Sequence, residues 1–347
     1  MSDPIIYTCK PRQLKQFIMD CMEARLVPFV TSSPGMGKST IMHGIAKQGL
    51  LKPIDHRLST SVPEDASGLP RFNDRGFAEF APFEELFPLE NTPVPAGMNG
   101  WMLFLDEFPS AKKEVQAAFY KLILDKMTGQ KKLNENVWIT AAGNKMTDRA
   151  IVNPIGTAMQ SRVIHLEMEL DFDEWMMDVA LKHKYHPSII AFLSAYRSKL
   201  MDFRPDHNDK TFCCPRTWEF MNNLLMVNPA VTVERAPLFA GTITSGVAVD
   251  FINFVRVFEN MTPITQILSN PQTAPVPQEP NARWAVISSM LEHVSEKSFA
   301  ALSEYANRFT LDFRVLFFRS VMVRNPEMRR HPMYANAAVE LSRYLNE

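Results

Sequence analysis

The rhythm of apolar and polar positions changes once along the chain, near residue 171. Before that point short apolar runs alternate with stretches of helical spacing. Val27-Pro28-Phe29-Val30, Ile54 to Leu58, Trp101-Met102-Leu103-Phe104-Leu105, Val137 to Ala142 and Val163 to Met168 read as strands. A run with no polar interruption implies burial on both faces, as in the interior of a parallel sheet. Between the runs, Leu14, Phe17, Ile18, Cys21 and Met22 predict an amphipathic helix over 11–25, with Pro11 in its first turn. Ile41, Met42, Ile45 and Ala46 predict a second helix, and Val115, Ala118, Phe119, Leu122 and Ile123 a third over 111–127. Residues 62–100 are irregular and rich in proline. Within them Phe72-Asn73-Asp74-Arg75-Gly76-Phe77 has the composition of a hairpin tip, and residues 131–136 read as a polar turn.

After residue 171 only helical periodicity remains, over 175–181, 187–200, 218–226, 251–258, 285–294 and 299–309. Pro271, Pro275, Pro277 and Pro280 mark an extended connector. Strands alternating with helices imply an α/β fold, a parallel five-stranded sheet between helices. The expected division is an α/β domain over 1–170, a helical domain over 171–240 and a further helical region over 241–347.

Composition narrows the class. The chain of 347 residues exceeds one small core, and 46% hydrophobic with 22% charged residues is ordinary for a globular protein. A formal net charge of −1 argues against a chain whose main task is gripping nucleic acid. Cys9, Cys21, Cys213 and Cys214 form no Cys-x-x-Cys pair, which excludes the usual zinc pattern and fits reduced thiols in the cytoplasm. No signal-peptide core or membrane-length apolar run is present, so a soluble protein is expected. The 21 methionines read as core filler.

The chemistry begins at Ser33-Pro34-Gly35-Met36-Gly37-Lys38-Ser39-Thr40, placed between the first strand and the second helix. Glycines let successive backbone N–H groups turn toward phosphate oxygens, and the helix N-terminus adds positive potential. Lys38 can reach terminal phosphates and Ser39 can hold Mg²⁺. Ser32 stands where the G-x-x-x-x-G-K-[ST] pattern has its first glycine. Alone, the loop is also compatible with a plain strand-to-helix turn. Asp106 and Glu107 end the most apolar strand, at the edge where parallel sheets bind ligands. An acid there can hold Mg²⁺ and its neighbour can activate water; with Lys38 upstream, the pair signals nucleoside triphosphate hydrolysis. Asn144 ends the next strand and either orients that water or forms a turn after Gly143. Asn144-Lys145-Met146-Thr147-Asp148 puts its aspartate one residue late for guanine recognition, and Pro109 occupies the position where GTPases carry glycine.

Loop, Asp-Glu, strand-end Asn, Arg162 and then Pro215-Arg216 at a helix start follow the order of parts in AAA+ P-loop ATPases. The chain resembles the MoxR-type group, including the CbbQ- and NorQ-like activators, over residues 11–226. Residues 33–39 resemble its Walker A and Leu103 to Glu107 its Walker B, followed by Val115-Gln116-Ala117-Ala118-Phe119. Ala141-Ala142-Gly143-Asn144 is similar to its sensor 1, Ser161-Arg162 lies at its arginine finger, and Pro215-Arg216-Thr217-Trp218 resembles its sensor 2. The hairpin at Asn73-Asp74 resembles an insertion that often faces a central pore. Ser110 stands where relatives often carry arginine, and the residues before Arg162 lack the usual aspartate, which leaves Arg149 as a second finger candidate.

The resemblance implies an ATP- and Mg²⁺-dependent ATPase with a helical lid after the α/β domain, working as a homo-oligomeric ring, typically a hexamer, that remodels a protein partner. A protein with a von Willebrand A domain is the first expectation by analogy, with no membrane and no nucleic-acid partner. The alternatives are a DNA-directed motor or loader and a nucleotide-gated scaffold with little turnover.

Overall fold

The computed structural model describes residues 7–83, 86–148, 153–259, 263–278 and 280–345. Its contacts divide the chain into two compact units, one of residues 1–170 with 204–206, the other of 171–203 with 207–347.

The first unit is built on strands β1 (Thr8–Cys9), β2 (Pro28–Ser32), β3 (Leu51–Arg57), β6 (Gly100–Asp106), β9 (Val137–Asn144) and β10 (Ile164–Met168). They form one sheet in the order β1-β10-β2-β9-β6-β3, with every pair parallel. The five expected strands are present, and two-residue β1 adds an edge beside β10. Strand β3 begins earlier than its sequence suggests because it lies at the other edge, where Pro53 costs no ladder bond on the open side.

Helices α1 (Pro11–Glu23) and α2 (Lys38–Gln48) cover one face of the sheet. Leu14, Ile18, Met22, Met42 and Ile45 pack there with Met102, Phe104, Val30 and Ala142. Helix α4 (Lys113–Asp125) and the short α3 (Pro63–Ser67) cover the other, where Val115, Phe119 and Leu122 meet Trp101, Leu103, Leu105 and Ile139. Successive residues of β6 therefore feed opposite cores, which is the reason its apolar run is unbroken. Leu103 and Leu105 are fully buried, and each such side chain contributes roughly 1.5–3 kcal/mol.

Strands β4 (Leu69–Phe72) and β5 (Ala78–Ala81) form the expected antiparallel hairpin. Asn73 builds its tip by accepting hydrogen bonds at Oδ1 from the N–H groups of Arg75 (3.0 Å) and Phe77 (3.1 Å). Residues 127–132 were expected to continue from helix into a polar turn. They instead form a second small hairpin of β7 (Met127–Thr128) and β8 (Lys131–Lys132). Short α5 (Thr157–Gln160) leads into β10.

The second unit is helical. It begins with α6 (Phe172–Trp175), running on into a wider turn to Leu181. Then follow α7 (Pro187–Ala195), α8 (Pro215–Val227), α9 (Ala236–Ile243), α10 (Ser245–Glu259), α11 (Ile264–Ser269), α12 (Pro280–Glu292), α13 (Phe299–Ala306), α14 (Leu311–Arg324), α15 (Pro332–Glu340) and α16 (Ser342–Leu345). Phe192 of α7 contacts Trp218 of α8 at a centroid distance of 5.7 Å and Phe251 of α10 at 5.3 Å. Phe239 of α9 meets Phe251 at 6.2 Å. Aromatic packing thus runs across residue 240, where the sequence suggested a boundary between two helical parts. Helices α9, α11, α14, α15 and α16 were not anticipated. No described helix is long and apolar enough to cross a membrane.

Candidate functional site

The loop 33–37 joins β2 to α2. Gly35 (φ 77°) and Gly37 (φ 90°) both take the left-handed conformation, which a β-carbon would disfavour, and Gly37 caps α2. Ser32 is the last residue of β2, in register with Asn144. It is fully buried, and its backbone is not among the left-handed positions, so a side chain is tolerated where the phosphate-loop pattern has glycine.

That side chain has a local role. The Lys38 ammonium, itself buried, donates to Ser32 Oγ (3.0 Å), to the carbonyls of Ser32 (3.2 Å) and Ser33 (3.4 Å), and to Asn144 Oδ1 (3.2 Å). These acceptors are neutral. An anionic phosphate oxygen is a stronger acceptor for an ammonium than any of them. Around the loop Ser33, Pro34 and Met36 are half-buried, and Thr40 is exposed on the first turn of α2.

Ser39 Oγ donates to Asp106 Oδ2 at 3.2 Å, which links the start of α2 to the end of β6. One hydroxyl and one carboxylate make a hard-oxygen pair that suits Mg²⁺, an ion that keeps waters and substrate oxygens in its remaining positions. The residues present therefore fit the ion. The other Asp106 oxygen, Oδ1, accepts the Glu107 N–H at 2.8 Å.

Glu107 is a non-glycine residue in the left-handed region, φ 55° and ψ 32°. That conformation costs roughly 1–2 kcal/mol and turns the chain sharply at the strand end. Its carboxylate accepts a hydrogen bond from Ser59 Oγ and stands 3.6 Å from Arg57 Nε. Neither Arg57 nor Ser59 was singled out in the sequence. The signal existed only in register: Arg57 pairs with Asp106, so the end of β3 must flank Glu107.

Pro109 continues the same turn and passes close to Gly143. A β-carbon at Gly143 would lie 2.2 Å from Pro109 Cδ. Gly143→Ala is therefore expected to destabilise the protein by about 1–3 kcal/mol through overpacking and to displace the turn that carries Glu107. Thermal unfolding checks it; a melting temperature equal to wild type would show that Pro109 moves freely.

Lys38, Ser39, Asp106, Glu107 and Asn144 thus gather at the C-terminal edge of the sheet. Arg162 does not join them. It precedes Ile164, which pairs with Pro28 at the opposite end of β2 from Ser32. The residue is exposed, and its Nη1 donates to the Ala158 carbonyl at 2.6 Å. Arg149 lies outside the described residues. Arg216 belongs to the second unit, exposed in the first turn of α8. Thr217 fixes that turn by accepting from the Cys214 N–H (2.9 Å) and donating toward the Phe212 carbonyl (3.0 Å).

No protein-family model matches the chain, and no curated protein matches it in sequence. Among solved structures, a candidate ATPase from Cytophaga hutchinsonii is 13% identical, over 96% of this chain and 88% of that one, with a TM-score of 0.35. NtrX from Brucella abortus is also 13% identical, over 99% of this chain and 68% of that one, with a TM-score of 0.34. Superposition at that level bears on neither activity nor mechanism.

Proposed function

We propose that this chain is a Mg²⁺-dependent ATPase of the AAA+ class, with MoxR-type proteins as the nearest kind. The observation that carries the reading is the meeting of Lys38, Ser39, Asp106, Glu107 and Asn144 at one sheet edge, beside a loop turned by two left-handed glycines. Parallel sheets bind ligands at that edge, and a helix N-terminus there favours phosphate.

In this reading Lys38 exchanges its neutral acceptors for the terminal phosphates of ATP. Ser39 and Asp106 would hold Mg²⁺, which would neutralise charge on the phosphates. Glu107 takes the proton of the attacking water, and Asn144 holds that water in line. Arg162 of a neighbouring subunit and Arg216 stabilise the charge that develops on the transferred group. Arg149 remains the alternative finger.

Subunits joined head to tail by such an arginine close into a ring when the rotation permits, a hexamer in this proposal. The work done by the ring is remodelling of a protein partner in the cytoplasm, with a von Willebrand A-domain protein as the proposed class. The β4–β5 hairpin supports a protein-facing role, because Phe72 and Phe77 beside its tip are 79% and 67% exposed.

A second reading, a nucleotide-gated scaffold, is favoured by the engagement of Glu107 with Ser59 and Arg57. Steady-state phosphate release separates the two, since the scaffold binds ATP without sustained turnover. Lys38→Ala tests the site itself. Loss of charged hydrogen bonds worth roughly 1.5–3 kcal/mol each should weaken ATP binding on the order of 10²-fold or more, as read by calorimetry. Near-wild-type affinity would reduce the loop to a structural turn.

A further inference from the structure

At the opposite edge of the first unit's sheet, a cavity of about 500 Å³ opens between the end of α1, the end of α4 and the start of β9. Its floor is apolar: Leu133, Val137 and Ile139 are buried, and Leu26 stands at the cavity with 49% of its surface exposed. Its charged lining is three cations and two carboxylates. Arg25 lies with its Cζ 4.3 Å from the centroid of the Trp138 ring, and its Nη1 donates to the Glu135 carbonyl at 2.8 Å. Lys126 and Lys132 add two ammonium groups, against the exposed carboxylates of Asp125 and Glu135.

Arg25 (φ 59°) and Lys126 (φ 55°) take the left-handed conformation that commonly ends a helix, here α1 and α4, and both line the same cavity. Lys126 also has no side-chain hydrogen bond or ion pair among the described residues, and burial together with the nearby Arg25 lowers its pKa to about 8. Two like charges are held near each other over an apolar floor.

We infer that this cavity binds a small amphipathic anion, a carboxylate or phosphate head held between Arg25 and Lys126 with an apolar body on Leu133, Val137 and Ile139. The volume is in the range of small-molecule sites, and mixed apolar walls with a few convergent charges are their usual lining. The site is separate from the Lys38 loop and does not depend on the ATPase reading.

Calorimetry on the full chain with 3-phenylpropionate, phenyl phosphate and the neutral 3-phenylpropanol tests it. The expected result is saturable binding of at least one anion, tenfold or more tighter than the alcohol, and unchanged in Lys38→Ala. Preference between the two anions tells a carboxylate ligand from a phosphate ligand. Lys126→Gly is the informative variant, because glycine takes the left-handed position more easily than lysine and removes the ammonium without straining the fold. It should weaken anion binding tenfold or more, and Arg25→Gln should do the same. Binding of neither anion, equal affinity for the alcohol, or full affinity in Lys126→Gly would overturn the inference.

Discussion

Arg162→Ala is expected to bind ATP as wild type does and to lose on the order of 10³–10⁵ in turnover, the range for an arginine that stabilises phosphoryl transfer. Register within the sheet explains why the loss should be repairable in trans. Ile164 pairs with Pro28, the first residue of β2, whereas the phosphate loop follows Ser32, the last. Four residues of strand separate those levels, about 13 Å at roughly 3.3 Å per residue. Arg162 lies beyond the far end of that span, so in the proposed ring its guanidinium would serve a site on another copy of the chain. Mixing Arg162→Ala with Lys38→Ala, each inactive alone, should restore part of the activity, because some interfaces then combine an intact loop with an intact arginine. The same mixing with Arg149→Ala identifies the finger. Co-assembled mixtures that stay inactive, with ATPase activity independent of protein concentration, would leave a self-contained monomeric enzyme.

Glu107→Gln should retain ATP affinity and lose about 10²–10⁴-fold in hydrolysis, the span for removing a positioned general base. Glutamine keeps the volume and can still accept a hydrogen bond from Ser59, so the left-handed turn at the end of β6 should persist. Loss of affinity along with turnover would indicate that the substitution disturbs Asp106, whose Oδ1 accepts the Glu107 N–H. Single-turnover measurement separates these outcomes. Sustained hydrolysis in the variant would mean that another group activates water. The trapped ATP-bound form is also the one from which a protein partner should be recovered, since hydrolysis no longer releases it.

Much of the first unit was legible because its chemistry is local. The unbroken run from Trp101 to Leu105 required burial on both faces, and the structure divides those residues between two cores. The glycines at 35 and 37 announced a loop whose backbone takes left-handed angles. Asn73 and Gly76 announced a tip, and the hairpin is there. The second unit was less legible. Helix α14 is apolar on several sides, with Phe317, Phe318 and Val321 buried, so it lacks the one-sided periodicity that marks a surface helix. The β7–β8 hairpin has only two residues per strand, too few for an alternating pattern.

The residue types at each strand end were set by the sequence alone: a lysine and serine after β2, two acids after β6, an asparagine after β9. Which ends lie side by side was decided by the tertiary structure. Strand β9 enters between β2 and β6, and this places Asn144 against Lys38 while Ser39 reaches Asp106. Strand β3 pairs with β6 at the edge, and only that pairing brings Arg57 and Ser59 to Glu107. Likewise, nothing local to Gly143 shows that its missing β-carbon makes room for Pro109. Periodicity and turn chemistry act over a few residues and can be read along the chain. Strand order is settled by how two helical layers close over one sheet, a choice made by the summed burial of residues far apart in sequence.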